Sequence, residues 1–177
     1  MIARARRGSA GAYEDLVRRY TDMAFRIACV VTGSAPDAEE AVQDAFVKAH
    51  RALSGFRPGA PFRPWLLRIV GNEARNRRRS AGRRAAMELR AADTAPGDAS
   101  LPSPEAVLEA AEQRRALLRA LHTLPDDQRE VVTCRYLLQL SVDETAAALG
   151  IPDGTVKSRL ARGLTRLRAL VEPVGDG

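Results

Sequence analysis

The chain has 177 residues, enough for one ordinary domain or two small ones. Hydrophobic residues make up 45% of it and aromatic residues only 5%, which excludes a disordered tail and leaves a core of Leu, Val, Ile and Ala. Basic residues outnumber acidic ones by 28 to 22, and the formal charge of +6 favours nucleic acid or another anionic surface as partner.

The sequence also argues against secretion, membrane insertion and metal or redox chemistry. The opening MIARARRGSAG has no apolar run behind its charges, and the longest apolar run, residues 27–31, is too short to span a bilayer. Cys29 and Cys134 belong to no C-x-x-C pair, and no cofactor motif is visible. We therefore expect a cytoplasmic protein without a cofactor.

Residues 13–53 carry the apolar periodicity of a pair of helices, with a break at residues 32–36 (TGSAP). The second helix has an acidic face whose members can align at helical spacing: Asp37, Glu40, Gln43 and Asp44. Such a face on a basic protein suggests docking to a positively charged protein. Carboxylates in a first turn also stabilise the helix dipole, and the residues alone leave both interpretations equally open. A carboxylate metal site is less favoured, because no histidine or loop-glycine spacing accompanies it.

Residues 54–64 (SGFRPGAPFRP) predict a loop, and helical character returns at Trp65 and continues to about residue 84. Nine arginines and one acid lie between residues 57 and 84, so this segment must face water or phosphates. Arginines beside exposed rings suit single-stranded DNA, because bases stack on rings while guanidiniums bind phosphates. We expect Phe62 to contact DNA and Trp65 to lie in the core. For Phe56, a core position is as well supported as a DNA contact.

Residues 91–104 (AADTAPGDASLPSP) contain three prolines and no aromatic residue, a composition typical of a flexible linker. Four helical patterns follow, at residues 105–122, 126–139, 142–149 and 154–171. No stretch alternates like a strand. The sequence therefore predicts an all-α fold of two small helical domains, residues 1–84 and residues 105–177, joined by a flexible linker at residues 85–104.

Residues 140–160 (LSVDETAAALGIPDGTVKSRL) join two helices of different character through a Gly-Ile-Pro break. Ser141 and Glu144 form a capping box that starts the first helix, and Gly150 stops it. At about 100° per residue, one set of side chains on the second helix shares an apolar arc of about 80°: Val156, Leu160, Leu164, Leu167 and Val171. The opposite side gathers Thr155, Ser158, Arg159, Arg162 and Arg166. This pattern predicts a helix-turn-helix, whose second helix fits the major groove of DNA.

The alternative for this second helix is a basic face that is merely solvated. Residues 155–168 carry five basic residues and no acid, whereas a solvated face would usually mix signs to gain ion pairs. DNA binding is therefore the favoured interpretation, since Arg reads guanine edges and Ser or Thr binds phosphates.

Residues 124–168 (LPDDQREVVTCRYLLQLSVDETAAALGIPDGTVKSRLARGLTRLR) resemble region four of bacterial sigma factors of the extracytoplasmic-function (ECF) group, and GTVKSRL is close to a signature for it. The first half resembles region two through AYEDLVRRY, DAEEAVQDAFVKAHRAL and FRPWLLRIVGNEARNRRR, in the family's order. The resemblance covers nearly the whole chain except the linker. It implies a sigma factor of the sigma-70 family, which binds core RNA polymerase, recognises promoter DNA and helps to open it.

The resemblance also implies partners and site residues. The acidic face would dock on the clamp coiled coil of the polymerase beta-prime subunit, with the beta flap as a second contact on the core enzyme. Region four would bind the minus-thirty-five element through Thr155, Lys157, Ser158, Arg159, Arg162 and Arg166. Many relatives have an anti-sigma factor, and one is expected here by resemblance alone.

Region two would open the minus-ten element by drawing a base from the stack into the loop at residues 54–64. The residues expected to contact this element are Phe62, Arg63, Asn72, Arg75, Asn76 and Arg79. Asn72 and Asn76 lie one helical turn apart and could present their amides to base edges.

Two other functions compete with this interpretation. A nucleic-acid enzyme is disfavoured, because His50 and His122 stand in different domains, no catalytic arrangement gathers around either, and no Walker-type glycine loop is present. A helix-turn-helix regulator would bind its operator tightly by itself, whereas a sigma factor should bind duplex promoter poorly until it is mounted on core polymerase.

Overall fold

The computed structural model describes residues 1–88 and 119–171. Residues 89–104 of the predicted linker and most of the predicted helix at residues 105–122 lie outside these ranges. All regular elements of the described residues are helical, as the sequence predicts.

The first bundle consists of four helices: α1 (Ile2–Arg6), α2 (Ala10–Thr32), α3 (Ala35–Ala52) and α4 (Phe62–Glu88). The last three pack against one another in pairs, and α1 packs on α2. Ser9 and Ser34 cap α2 and α3 through their hydroxyls, and Gly33 ends α2 at φ 76°, a conformation that favours glycine. The apolar stripes meet in a core whose fully buried members include Leu16, Ile27, Leu66, Leu67 and Val70.

The second bundle contains the helical residues 119–122, then α5 (Asp126–Val132), a π-helical turn (Thr133–Leu137), α6 (Val142–Leu149) and α7 (Asp153–Val171). Ser141 and Glu144 form both hydrogen bonds of the predicted capping box, at 3.0 and 2.8 Å. Gly150 ends α6 in the left-handed conformation, at φ 69°. The helices of this bundle bury Val131, Ala146 and Val156 between them.

Several boundaries differ from the sequence prediction, and three of them concern α4 and α5. Helix α4 begins at Phe62, because Pro64 falls in its first turn, where proline costs no hydrogen bond. It continues to Glu88, past residue 84, where the first domain was expected to end. The predicted helix at residues 126–139 is instead α5 followed by the π-helical turn.

The two bundles are packed directly on each other. Helix α4 packs against α6, and α2 packs against α5. Four buried residues of the second bundle belong to the same apolar cluster as the core of the first: Cys134, Leu138, Leu140 and Ala148. No helix within residues 1–88 and 119–171 is both long and apolar enough to cross a membrane.

Candidate nucleic-acid interface

The polar stripe of α7 lies opposite its buried side. Val156 is completely buried, while Ser158, Arg162 and Arg166 are exposed and Thr155 and Arg159 are half-buried beside them. Arg162 Nε donates a hydrogen bond to the backbone carbonyl of Ser158 at 3.3 Å, which keeps its guanidinium along the outer surface. Hydroxyls and guanidiniums therefore share one open face, as a major-groove helix requires.

Lys157 stands apart from this stripe. It is exposed, but it lies next to buried Val156 in sequence and about 160° around the helix axis from Arg159. Its side chain therefore lies off the polar stripe.

Helix α5 packs against α7 and contacts two arginines of its polar stripe. Arg159 Nε lies 3.1 Å from an oxygen of Asp127, and Arg166 donates to the Gln128 side chain at 3.3 Å. A Cβ added at Gly163 would come within 3.0 Å of Val132, so the missing side chain permits the close approach of the two helices.

The polar face of α4 presents amides and guanidiniums together. Asn72, Asn76 and Arg79 are exposed at successive turns, and Arg75 lies half-buried between them. The Asn72 side-chain carbonyl accepts a hydrogen bond from Arg75 at 2.6 Å. The structure therefore brings four of the six predicted minus-ten residues onto one face.

Phe62 is not part of that face, and the expectation that it contacts DNA needs correction. Its ring is only 4% exposed, because it packs with three other rings, Tyr20, Phe56 and Trp65, at centroid distances of 5.3, 5.7 and 5.3 Å. A ring enclosed on these sides cannot stack on a base. Phe56 is buried in the same cluster, which places it in the core.

Arg63 is engaged between the two bundles. Its guanidinium donates to the backbone carbonyl of Leu138 and, at 3.1 Å, to the sulfur of Met23. In this arrangement its donors are directed at protein groups of the second bundle and of α2, away from the α4 face.

The acidic face of α3 is largely open to solvent. Glu40, Gln43 and Asp44 are exposed, and Asp37 is half-buried in the first turn. The Arg77 guanidinium, from α4, forms ion pairs with Glu40 and Asp44, the latter at 2.5 Å. This partner could not be recognised from the sequence, because α3 and α4 are separated by a loop and their pairing follows from the bundle geometry.

Contacts between the bundles are a second feature absent from the sequence prediction. Arg75 and Arg78 of α4 form ion pairs with Glu130 and Asp126 of α5, both at 2.6 Å. From the sequence alone, the position of Asp126 in the first turn of a helix indicates only that it stabilises the dipole of that helix.

Two helical bundles, one with a helix-turn-helix and one with an Arg- and Asn-rich helix face, are the features of a DNA-binding protein. Residues 16–84 match the family described as Sigma-70 region 2, and residues 114–167 match Sigma-70, region 4. The chain belongs to the ECF group of the sigma-70 family and is an RNA polymerase sigma factor. The resemblance read from the sequence is thereby confirmed.

Similar proteins match the chain almost from end to end. The ECF RNA polymerase sigma-E factor of Escherichia coli (strain K12) is 34% identical, over 98% of this chain and 94% of the relative. CnrH, solved in complex with the cytosolic domain of CnrY, superposes with a TM-score of 0.73 at 29% identity, over 96% of this chain and 94% of its own. The sigma factor RpoE of Bartonella quintana, solved with the anti-sigma factor NepR, gives 0.72 at 25% identity, over 93% and 99%.

Proposed function

We propose that this sigma factor uses three surfaces in succession: the acidic face of α3 for core polymerase, the stripe of α7 for the minus-thirty-five element, and the polar face of α4 for the minus-ten element. The observation that carries the proposal concerns the second helix of the helix-turn-helix: Ser158, Arg162 and Arg166 are exposed on one side of it, with Thr155 and Arg159 half-buried beside them. A helix that reads base edges in the major groove needs such a face, whereas a helix that is only exposed to solvent does not need one.

The polymerase contact is assigned to Asp37, Glu40, Gln43 and Asp44. Exposed carboxylates steer and orient a basic partner, and removing one such charge weakens association. The ion pairs with Arg77 hold Glu40 and Asp44 in place but leave their side chains 59% and 50% exposed, so a basic partner can reach them. Because these ion pairs lie at the protein surface, replacing them with ion pairs to the partner protein costs little free energy.

The minus-ten contact is assigned to Asn72, Arg75, Asn76 and Arg79. The amides suit base edges and the guanidiniums suit the phosphates of the displaced strand. Phe62 leaves this set because its ring is buried, and Arg63 joins it only if its contacts with Met23 and Leu138 are released.

Transcription with purified components tests the function as a whole. The chain is mixed with bacterial core polymerase and genomic DNA fragments, and the starts of run-off transcripts are sequenced. We expect starts that share an upstream and a minus-ten element, and weak binding of duplex promoter by the chain alone. Tight binding of a duplex site without polymerase, together with no initiation, would instead identify a free-standing helix-turn-helix regulator.

The acidic face has its own test. The double variant Glu40→Gln/Asp44→Asn is expected to lose affinity for core polymerase in a pull-down or in competition with a labelled sigma factor. The matched control is Glu14→Gln/Asp15→Asn, which removes two exposed carboxylates that pair with Arg18 on α2. Equal affinity of the two double variants would remove the α3 face from the interface.

Sigma factors act on the polymerase inside the cell, and we propose a cytoplasmic location. We further propose an anti-sigma factor as a partner, because the similar sigma factor RpoE of Bartonella quintana was solved with NepR, an anti-sigma factor. Co-purification of the chain from its own cells, followed by mass spectrometry, tests this proposal.

A further inference from the structure

Helix α1 packs beside the segment that joins α3 to α4. Nη1 of Arg6 donates a hydrogen bond to the backbone carbonyl of Phe56 at 3.3 Å. The helix also contacts the short 3₁₀ helix Leu53–Gly55, and its Ala5 is buried in the core of the first bundle. Helix α1 is therefore fixed against the loop that is expected to receive a base of the minus-ten element.

The surface at this junction is basic. Four arginines of α1, its C-terminal cap and the loop are exposed, and we refer to them as the basic patch: Arg4, Arg6, Arg7 and Arg57. The carbonyl that Arg6 contacts belongs to the peptide bond between Phe56 and Arg57, so the two chain segments bring their arginines to one place. Neither segment adds a carboxylate, since residues 1–13 and 45–72 contain no Asp or Glu.

The basic patch differs from the other arginines of the protein in its ion pairing. Arginines of α2, α4, α5 and α7 pair with carboxylates. Within residues 1–88 and 119–171, no ion pair involves an arginine of the patch. A guanidinium without a carboxylate partner gives up no ion pair when it binds another anion, so its attraction for a phosphate is not offset.

The phosphates of the displaced DNA strand fit this patch by position and by charge. The strand is proposed to contact α4 from Asn72 onward, and Asn72 lies about 15 Å along the helix from Phe62, where the loop ends. Promoter opening unpairs DNA from the minus-ten element towards the start of transcription, so the unpaired strand continues past the elements that bind it. The basic patch borders the loop and extends the cationic surface of α4 in that direction.

We propose that the basic patch is a further DNA-binding surface, which binds phosphates of the displaced strand between the minus-ten element and the start of transcription. The proposal rests on the function proposed above for α4. Phosphate contacts carry no sequence information, so we expect the patch to strengthen binding of any unpaired sequence at this place.

The test uses the holoenzyme, reconstituted from the full chain and bacterial core polymerase, and two forked DNA fragments. Both fragments carry a promoter found by run-off transcription, and their displaced strand is unpaired from the minus-ten element onward. In the short fork this strand ends with the minus-ten element, whereas in the long fork it continues for several nucleotides. The measured quantity is the ratio of the two affinities, from which differences in overall DNA binding cancel.

The test variant replaces the three arginines at α1 with glutamine: Arg4→Gln/Arg6→Gln/Arg7→Gln. Glutamine is as good a helix former as arginine, so the substitution removes charge without opposing the helix. A second variant, with lysine at the same three positions, keeps the charge. The matched control removes the same charge from exposed positions of α2: Arg18→Gln/Arg19→Gln/Arg26→Gln. Urea unfolding of all variants shows whether the fold is retained.

We expect the wild type to prefer the long fork by roughly three- to tenfold, since exposed charge pairs are individually weak. The glutamine variant at α1 should lose this preference and bind the short fork like the wild type. Its affinity for the long fork should also depend less on salt, by about 2 in the logarithmic slope at about 0.7 per phosphate. The lysine variant and the α2 control should keep the preference, because a phosphate contact needs a positive charge at this place.

Four results would overturn the proposal. A preference for the long fork that is absent from the wild type, or retained by the glutamine variant, means that the patch does not bind the strand. An equal loss in the α2 control means that net charge alone matters. Loss in the lysine variant, or equal weakening on both forks, means that α1 only supports the loop or contacts the polymerase.

The wild-type chain separates these failures from failure of the proposed function. Initiation from the run-off promoter, combined with any of the four results, rejects only the DNA contact of the basic patch. Absence of initiation, with neither fork bound, rejects the proposed function itself.

Discussion

The Asp127 carboxylate lies 3.1 Å from Nε of Arg159 and so ties the first turn of α5 to the polar stripe of α7. A neighbouring contact, from Arg166 to the Gln128 side chain at 3.3 Å, repeats the arrangement further along the helix. Arg162 instead donates a hydrogen bond within its own helix, to the backbone carbonyl of Ser158 at 3.3 Å. The stripe thus contains two braced arginines on either side of one that points freely outward.

Arg162→Ala or Arg159→Ala should reduce promoter discrimination by roughly 1–3 kcal/mol, if each guanidinium contacts a base edge. The measurement is competition between a matched and a mismatched minus-thirty-five element for the holoenzyme. Lys157→Ala is the control: it removes one positive charge from the same helix but off the stripe, so it should weaken binding to both elements alike.

Unchanged discrimination in both arginine variants would assign these side chains to solvent. If Lys157→Ala changes the preference between elements as strongly as the arginine variants do, the orientation of α7 assumed here is wrong.

Asn76→Ala should slow promoter opening while binding to the upstream element stays intact, because we propose that its amide contacts base edges of the displaced strand. Permanganate reactivity of unpaired thymines follows the opening, and retention of the holoenzyme on a fragment carrying the upstream element follows the binding. Ser80→Ala, one turn further along α4, is a control for altering a polar residue of this helix. Normal opening by Asn76→Ala would remove that residue from the site.

Much of the fold could be read from the sequence, because its signals are local. The capping box at Ser141 and the left-handed Gly150 fix α6 at Val142–Leu149, the bounds that the sequence predicts. The break between α2 and α3 is likewise set by Gly33 and by the cap at Ser34. Each of these signals acts within one helical turn, so no tertiary information is needed to recognise it.

The misjudged features depend on contacts between distant segments. Phe62 stands between prolines and arginines in sequence, and no residue near it in the chain indicates that the Tyr20 ring packs on it. The acids at the start of α5 have the same pattern whether they stabilise a helix dipole or pair with Arg75 and Arg78. Periodicity identifies which side of a helix is buried, but it does not say which bundle covers it.

Gly163→Ala should destabilise the second bundle. Alanine is the better helix former by about 1 kcal/mol, but its methyl group would lie 3.0 Å from Val132 and 3.5 Å from Cβ of Gln128, and valine's branched side chain has little freedom to move. Overpacking of this kind costs about 1–3 kcal/mol, so we expect a net loss of about 1 kcal/mol in urea unfolding followed by circular dichroism.

Gly154→Ala provides the comparison for Gly163→Ala in the same helix. A methyl group there meets nothing within 4 Å, so the substitution should raise stability by about 0.4–1 kcal/mol. Stabilisation by both substitutions would show that α5 and α7 can separate slightly without cost.

His122 should make the packed form less stable as the pH falls below neutrality. Its ring lies close to the first bundle, since a Cβ at Gly33 would be 3.4 Å from it. Burial lowers the pKa of His122 below its ordinary value of 6.5, and the positive charges of Arg129 and Arg78 lower it further, against a smaller opposing effect of Asp126. The unfolded chain therefore takes up this proton first, and stability is lost as the pH falls through 6.5 towards the folded-state pKa.

Glu130 contributes to the pH dependence with the opposite sign, so the His122 contribution must be isolated by substitution. Burial raises the pKa of Glu130 above 4.5, despite the Arg75 charge, and its ionisation costs stability as the pH rises from 4.5 to that higher value. The free energy of unfolding is measured from about pH 8 to about pH 5 for the wild type and for His122→Gln. We expect the wild type to lose more stability on acidification than His122→Gln does, because only the wild type has an imidazole to protonate at this position. Parallel curves for the two proteins would show that the imidazole is protonated equally easily in the folded and unfolded chain.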